Sequence, residues 1–189
     1  MSERLIFNHE DATRFVVGTV GAPGERAFFI QTTSALGTTT VAVEKSQVIA
    51  LSERLAELIT EVRRSKLASL DELGLPATID NESLEFPIDE EFQAGVMGIA
   101  WDPETQRVSV EIQSIADGEF TELISGEDDL ADVEDPPDLL RLTVRLNQAK
   151  GFCNRAEKVI TAGRPACPFC GLSIDPSGHL CPRANGYRR

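Results

Sequence analysis

The sequence predicts an α+β fold: two β-β-β-α units forming an internal pseudo-dimer, its sheet covered by helices, followed by a small cysteine-bearing tail. Three observations lead there. A run of three strand-like segments and one helix-like segment occurs twice. The two helical segments place their apolar residues at matching positions. The charge changes sign late in the chain. Residues 1–138 hold nine Lys/Arg against twenty-nine Asp/Glu, whereas residues 139–189 hold nine Lys/Arg with only Glu157 and Asp175.

The first unit opens with "RFVVGTVG", "RAFFIQTT" and "TTTVAVEK". Their Val, Phe, Ile and Thr content favours strands, and "APGE" and "ALGT" supply turn residues between them. "GTVGAPG" (18–24) carries Gly at every third position. It lies between two strands, so a hairpin is favoured over a phosphate loop, which sits between strand and helix. "SQVIALSERLAELITEVRR" follows, with Ser46 as candidate N-cap. Val48, Leu51, Leu55, Leu58, Ile59 and Val62 form one helical face. Residues 65–92 are acidic, contain Gly74, Pro76 and Pro87, and read as a connection with at most a short helical turn.

In the second unit "FQAGVMGIAW", the turn "DPET" and "QRVSVEIQSI" read as a hairpin. "LLRLTVRL" is the third strand, and "NQAKGFCNRAEKVITAG" a helix with Asn147 as candidate N-cap. Aligning 41–59 with 142–160 matches Val43 to Val144, Gln47 to Gln148, Arg54 to Arg155 and Ile59 to Ile160. Between the last two strands lies "GEDDLADVEDPPD". Glu127 to Asp138 carry seven carboxylates in twelve residues, which predicts a solvated, mobile loop. The resulting domains are a body over 1–163, with units at about 1–66 and 86–163 and an acidic loop at 117–138, and a tail over 164–189.

The tail contains "CPFCGLSIDPSGHLCPR", with the spacing Cys-x2-Cys-x8-His-x-Cys. Cys167, Cys170, His179 and Cys181 are the candidate ligands of one zinc ion. "CPFCG" gives a tight turn that points two thiolates at one place, and Gly171 tolerates a positive φ behind it. His179 and Cys181 are two apart, so on an extended segment they point the same way. Four N/S ligands close a tetrahedron and make a structural site. A thioredoxin-like redox pair is the rival, but such a pair opens a helix in a βαβ context, and the added His and Cys would have no role. A zinc deaminase lacks its H-x-E element here. Cys153 matches Ser52 of the first unit and reads as a half-buried thiol, and His9 reads as a lone surface histidine.

No run is apolar enough for a membrane span, and "MSERLIFNHEDATRF" has no signal-peptide character, so a cytoplasmic, acidic protein is expected. No G-x-S-x-G, Walker loop or H-E-x-x-H occurs, and no catalytic residue emerges.

The stretches "RFVVGTVGAPGERAFFIQ", "VAVEKSQVIALSERL", "GIAWD" and "CPFCGLSIDPSGHLCPRANGYRR" resemble an actinobacterial family of conserved uncharacterised proteins, catalogued as a domain of unknown function. The resemblance implies a cytosolic location and genes neighbouring a histidine-phosphatase-like and a kinase-like protein. It brings no activity with it.

The leading functional expectation is a non-enzymatic binding or adaptor protein. Its zinc-stapled basic tail, with Arg164, Arg183, Tyr187, Arg188 and Arg189, would meet a protein partner. Nucleic-acid binding through the same residues is the alternative, opposed by the acidic body. An enzyme acting on a phosphorylated or nucleotide-like small molecule is the third reading.

Overall fold

The computed structural model describes residues 4–22, 24–115, 123, 136–162, 167–171, 174 and 180–183. Seven strands and three helices make a mixed α+β fold. The strands are β1 (Ile6–His9), β2 (Arg14–Val20), β3 (Ala27–Ser34), β4 (Gly37–Val43), β5 (Glu90–Asp102), β6 (Arg107–Ser114) and β7 (Leu139–Val144). The helices are α1 (Lys45–Arg64), α2 (Leu70–Gly74) and α3 (Leu146–Thr161). Two of these elements, β1 and α2, were not individually assigned from sequence.

The sheet order is β1-β7-β6-β5-β4-β3-β2. Its two end strands are consecutive in the chain, separated only by residues 10–13. There the Ala12 N–H donates to the Thr143 carbonyl of β7 at 2.9 Å, and the Thr13 N–H donates to the Thr33 carbonyl of β3 at 2.8 Å. One bent stretch of chain is therefore bonded to β7 and β3 together and links the two ends of the sheet. Strand β5 does the same job on the opposite side: its first residues pair in parallel with β4, and the rest pair antiparallel with β6.

Helix α1 buries Val48, Leu51, Leu55, Ile59 and Val62, and α3 buries Leu146, Ala149, Phe152 and Ala156. The helices pack on one another, α3 against β2 and α1 against β5. Phe152 stacks on Phe15 of β2 with ring centroids 4.2 Å apart. Burying such a pair removes apolar surface worth a few kcal/mol from water.

The helix starts differ from the sequence expectation. Ser46 and Asn147 lie inside their helices, and the caps are Glu44 and Arg145. The reason is a glutamine three residues after each cap. The Glu44 N–H donates to Gln47 Oε1 at 2.8 Å and the Arg145 N–H to Gln148 Oε1 at 2.9 Å, the reach-back half of a capping box. Each glutamine also joins its helix to a distant strand. Gln47 Nε2 donates to the carbonyls of Ala94 and Gly95, and Gln148 Nε2 to those of Ala12 and Thr13.

His9 is a second correction. It is buried, 3% exposed, because β1 lies against the β3–β4 hairpin, where Ser34 and Thr39 meet its ring nitrogens. "GTVGAPG" connects β2 and β3 as a hairpin, with Gly21 at φ 106°.

The connection from α1 to β5 is a strap with defined anchors. Ser69 caps α2 by accepting from the Glu72 N–H. Glu72, itself buried, pairs with Arg145 at the start of α3. The Thr78 N–H donates to the Asn147 carbonyl at 3.0 Å. Asp80 then accepts from Arg14 Nε at 2.7 Å and from Arg155 NH1 at 2.8 Å. Leu84 closes the outer side over Gly18, where a Cβ would come within 2.6 Å of it. Val16 and Phe29 complete that second apolar cluster, so β2 is covered on both faces.

Candidate metal centre

After α3 the described chain resumes at Cys167. Residues 168–170 form a turn, and the Gly171 N–H donates to the Cys167 carbonyl at 2.8 Å. Gly171 takes φ 77°, the left-handed region that glycine enters without a Cβ penalty. The turn brings Cys167 and Cys170 together, and Cys181 joins them from the returning chain. One sulfur from each lies within 4.8 Å of the others. Cys167 and Cys181 are buried and Cys170 is half-buried.

The spacing distinguishes a metal site from a disulfide. The Sγ atoms of Cys167 and Cys181 are 3.7 Å apart, and all the cysteines are free thiols. A disulfide requires about 2.05 Å. Two sulfurs at about 2.3 Å from one tetrahedral ion lie about 3.8 Å apart. The observed gap fits the second geometry. The Cys167 thiol has its pKa held down to about 7. Desolvation pushes the other way, but the backbone N–H groups of Phe169 and Cys170 and the Cys170 and Cys181 thiols outweigh it. A low thiol pKa is what a metal ligand needs, because the thiolate is the ligand.

His179, the fourth expected ligand, lies outside the described residues, as do Arg164, Tyr187, Arg188 and Arg189. Arg183 is described: it is exposed, and its NH1 donates to the Phe169 carbonyl at 3.1 Å, bracing the turn between the first two cysteines. Phe169 and Leu180, next in sequence to the cysteines, are 63% and 85% exposed. Cys153 is not part of the cluster. It sits on α3, its Sγ donates to the Ser52 carbonyl at 3.4 Å, and burial raises its pKa. Of the acidic loop at 117–138, only Leu123 and residues 136–138 are described, so the mobility expected from Glu127 to Asp138 falls almost wholly outside the described residues. The Asp138 carboxylate accepts from the Leu5 N–H at 2.8 Å and its carbonyl from the Ser114 N–H, fixing the start of β7.

Sequence reasoning missed the two half-buried arginines that hold the strap, Arg14 and Arg155. Arg155 donates to the carbonyls of Val17, Asp80 and Glu82 as well as to the Asp80 carboxylate. The signal was present: Arg155 interrupts an otherwise apolar helix face, and a buried arginine must find acceptors.

These features define a class, a mixed α+β protein with a C-terminal cluster of three thiols at metal-binding distance. The chain belongs to DUF3090, a family of proteins of unknown function, whose match covers residues 7–181. No curated protein and no solved structure matches it. No helix among the described residues is long and apolar enough to cross a membrane.

Proposed function

We propose that this chain is a non-enzymatic, zinc-containing binding or adaptor protein. In this reading Cys167, Cys170, His179 and Cys181 hold one structural zinc, and the tail over 164–189 is presented to a protein partner. The observation that carries it is the gathering of three thiols from the two ends of one short segment at the separation of ligands on a single ion. A full set of four N/S ligands leaves no open position for a substrate, so the ion staples and does not catalyse. The exposed Phe169 and Leu180 supply apolar contacts for a protein partner, and the basic Arg164, Arg183, Arg188 and Arg189, with Tyr187, give the same segment positive charge and an aromatic ring. The cytoplasm, where thiols stay reduced, suits such a site.

We further propose that the body over 1–163 is an internal pseudo-dimer. The two glutamine side chains support this. Thr19 pairs with Phe28, which pairs with Val43; Trp101 pairs with Val108, which pairs with Val144. Starting from the match of Val43 with Val144, Thr19 corresponds to Trp101 and Ala12 to Ala94. Gln47 therefore reaches from the first unit to Ala94 of the second, and Gln148 from the second unit to Ala12 of the first. Ser52 and Cys153, another matched pair, meet where the two helices cross.

Elemental analysis of the purified full chain tests the metal reading. Zinc should be close to equimolar with protein, and Cys170→Ser should lower it sharply. Full occupancy in that variant, or a folded wild type free of metal, contradicts the assignment.

A further inference from the structure

We propose that the cysteine cluster is a redox switch: a peroxide joins Cys170 to Cys167 as a disulfide and so releases the metal ion. The proposal rests on the zinc reading above and names how that same site is regulated.

The sulfurs are already neighbours. One from each of Cys167, Cys170 and Cys181 lies within 4.8 Å of the others, and all are free thiols. Cys167 is the middle one: its thiol is in hydrogen-bond contact with those of both Cys170 and Cys181. Cys167 and Cys170 also stand at the two ends of one turn, which the Gly171 N–H closes by donating to the Cys167 carbonyl at 2.8 Å. That turn joins the pair without help from the rest of the fold.

Access to the three sulfurs is unequal. Cys170 is half-buried, whereas Cys167 and Cys181 are buried. An oxidant dissolved in water therefore meets Cys170 first, because exposure decides which thiolate of a group is oxidised. The neighbouring buried sulfur of Cys167 is then placed to resolve the product. The remaining cysteine does not compete. Cys153 sits on α3 outside the cluster, and its Sγ donates to the Ser52 carbonyl.

The chemistry balances with hydrogen peroxide as the oxidant. The Cys170 thiolate attacks one peroxide oxygen, the O–O bond breaks, and hydroxide leaves a sulfenic acid behind. The Cys167 thiolate attacks the Cys170 sulfur, the S–O bond breaks, and a second hydroxide leaves. Two sulfurs give up two electrons in all, and two protons from solvent turn the hydroxides into water. A disulfide sulfur is no longer a thiolate ligand. Half of the proposed ligand set is lost, and Cys181 with His179 cannot close a tetrahedron alone. The disulfide keeps the 167–171 turn, but nothing then ties Cys181 to it. Arg183, which now donates to the Phe169 carbonyl, loses its anchor two residues away, and Leu180 goes with it. The surface proposed for a protein partner comes apart on oxidation.

Peroxide treatment of the purified, zinc-containing full chain tests this, with zinc release read by a chromogenic chelator and disulfides mapped by mass spectrometry. Release of about one zinc per chain should parallel formation of the Cys167–Cys170 disulfide. A thiol reductant with added zinc should reverse both, and Cys153→Ser should behave as the wild type. Hydrogen exchange after oxidation should rise more at 180–183 than at 167–171, whereas chelation should loosen both segments. Zinc retained in excess peroxide, release with sulfinic acids or a Cys153 disulfide in place of the Cys167–Cys170 bond, or equal loosening of the two segments would each overturn the switch and leave the zinc reading standing. A chain that carries no zinc before oxidation would overturn the zinc reading and the switch with it.

Discussion

The ring nitrogens of His9 face Ser34 Oγ at 2.9 Å and Thr39 Oγ1 at 2.7 Å. A neutral imidazole offers one donor and one acceptor, and hydroxyls can answer either. Burial lowers the His9 pKa below its ordinary 6.5, because the charged ring loses its hydration. The sign of the pH effect follows. The unfolded chain takes up the proton at a higher pH than the folded chain does, so stability rises with pH across that interval. The contribution is fully present above pH 6.5 and is lost as pH falls from 6.5 through the lowered folded value. Melting temperature should therefore drop on acidification from pH 7, and His9→Gln should flatten that drop. His9→Ala should cost about 1–3 kcal/mol, since two buried hydroxyls lose their partner. Thermal melts over a pH series check both. The burial of His9 could not be read locally, because "FNHED" is polar on both sides. It arises from a strand pairing over more than a hundred residues, between β1 and β7.

At the scale of elements, the contact between α3 and the strap gives a sharp test. Gly to Ala within a helix ordinarily stabilises by about 1 kcal/mol. At Gly151 the added methyl would meet Thr78 Oγ1 at 2.1 Å and the Thr78 carbonyl oxygen at 2.7 Å. The carbonyl belongs to the backbone and cannot turn aside, so steric cost wins. Gly151→Ala should destabilise by about 1–3 kcal/mol and loosen the strap around Asp80. Denaturant melts give the first quantity, and hydrogen exchange over 76–84 gives the second. A stabilised variant would show that the strap does not lie against α3. Helices α1 and α3 were legible as elements because their apolar spacing is long and regular, and β2 to β7 because their strand runs are bounded by turns. Strand β1 was missed because four residues, "IFNH", carry too little pattern. The strap was read as a connection because its order comes from Arg14 and Arg155, each more than sixty residues from Asp80.

For the whole molecule, the proposed function sets a body held by its own core against a tail whose three gathered thiols would be held by a metal ion. The body buries Phe152, Ile30, Leu55, Leu140 and Leu142 almost completely. A short tail has little apolar surface to bury, so under the zinc proposal its order comes from bonds to the ion. Strong chelation should increase hydrogen exchange at 167–171 and 180–183 while leaving that of β2 to β7 nearly unchanged. Loss of the whole fold on chelation would show that the tail supports the body. The cysteine cluster was legible because its three thiols lie in one short stretch, Cys167 to Cys181, and thiols at such spacing are chemically distinctive. X-ray absorption at the zinc edge of the full chain tests the central claim most directly. It should show three sulfurs at about 2.3 Å and one nitrogen at about 2.0–2.1 Å, the shell of three cysteines and one histidine. A shell of oxygen and nitrogen alone, or a protein that retains no zinc after purification, would contradict it.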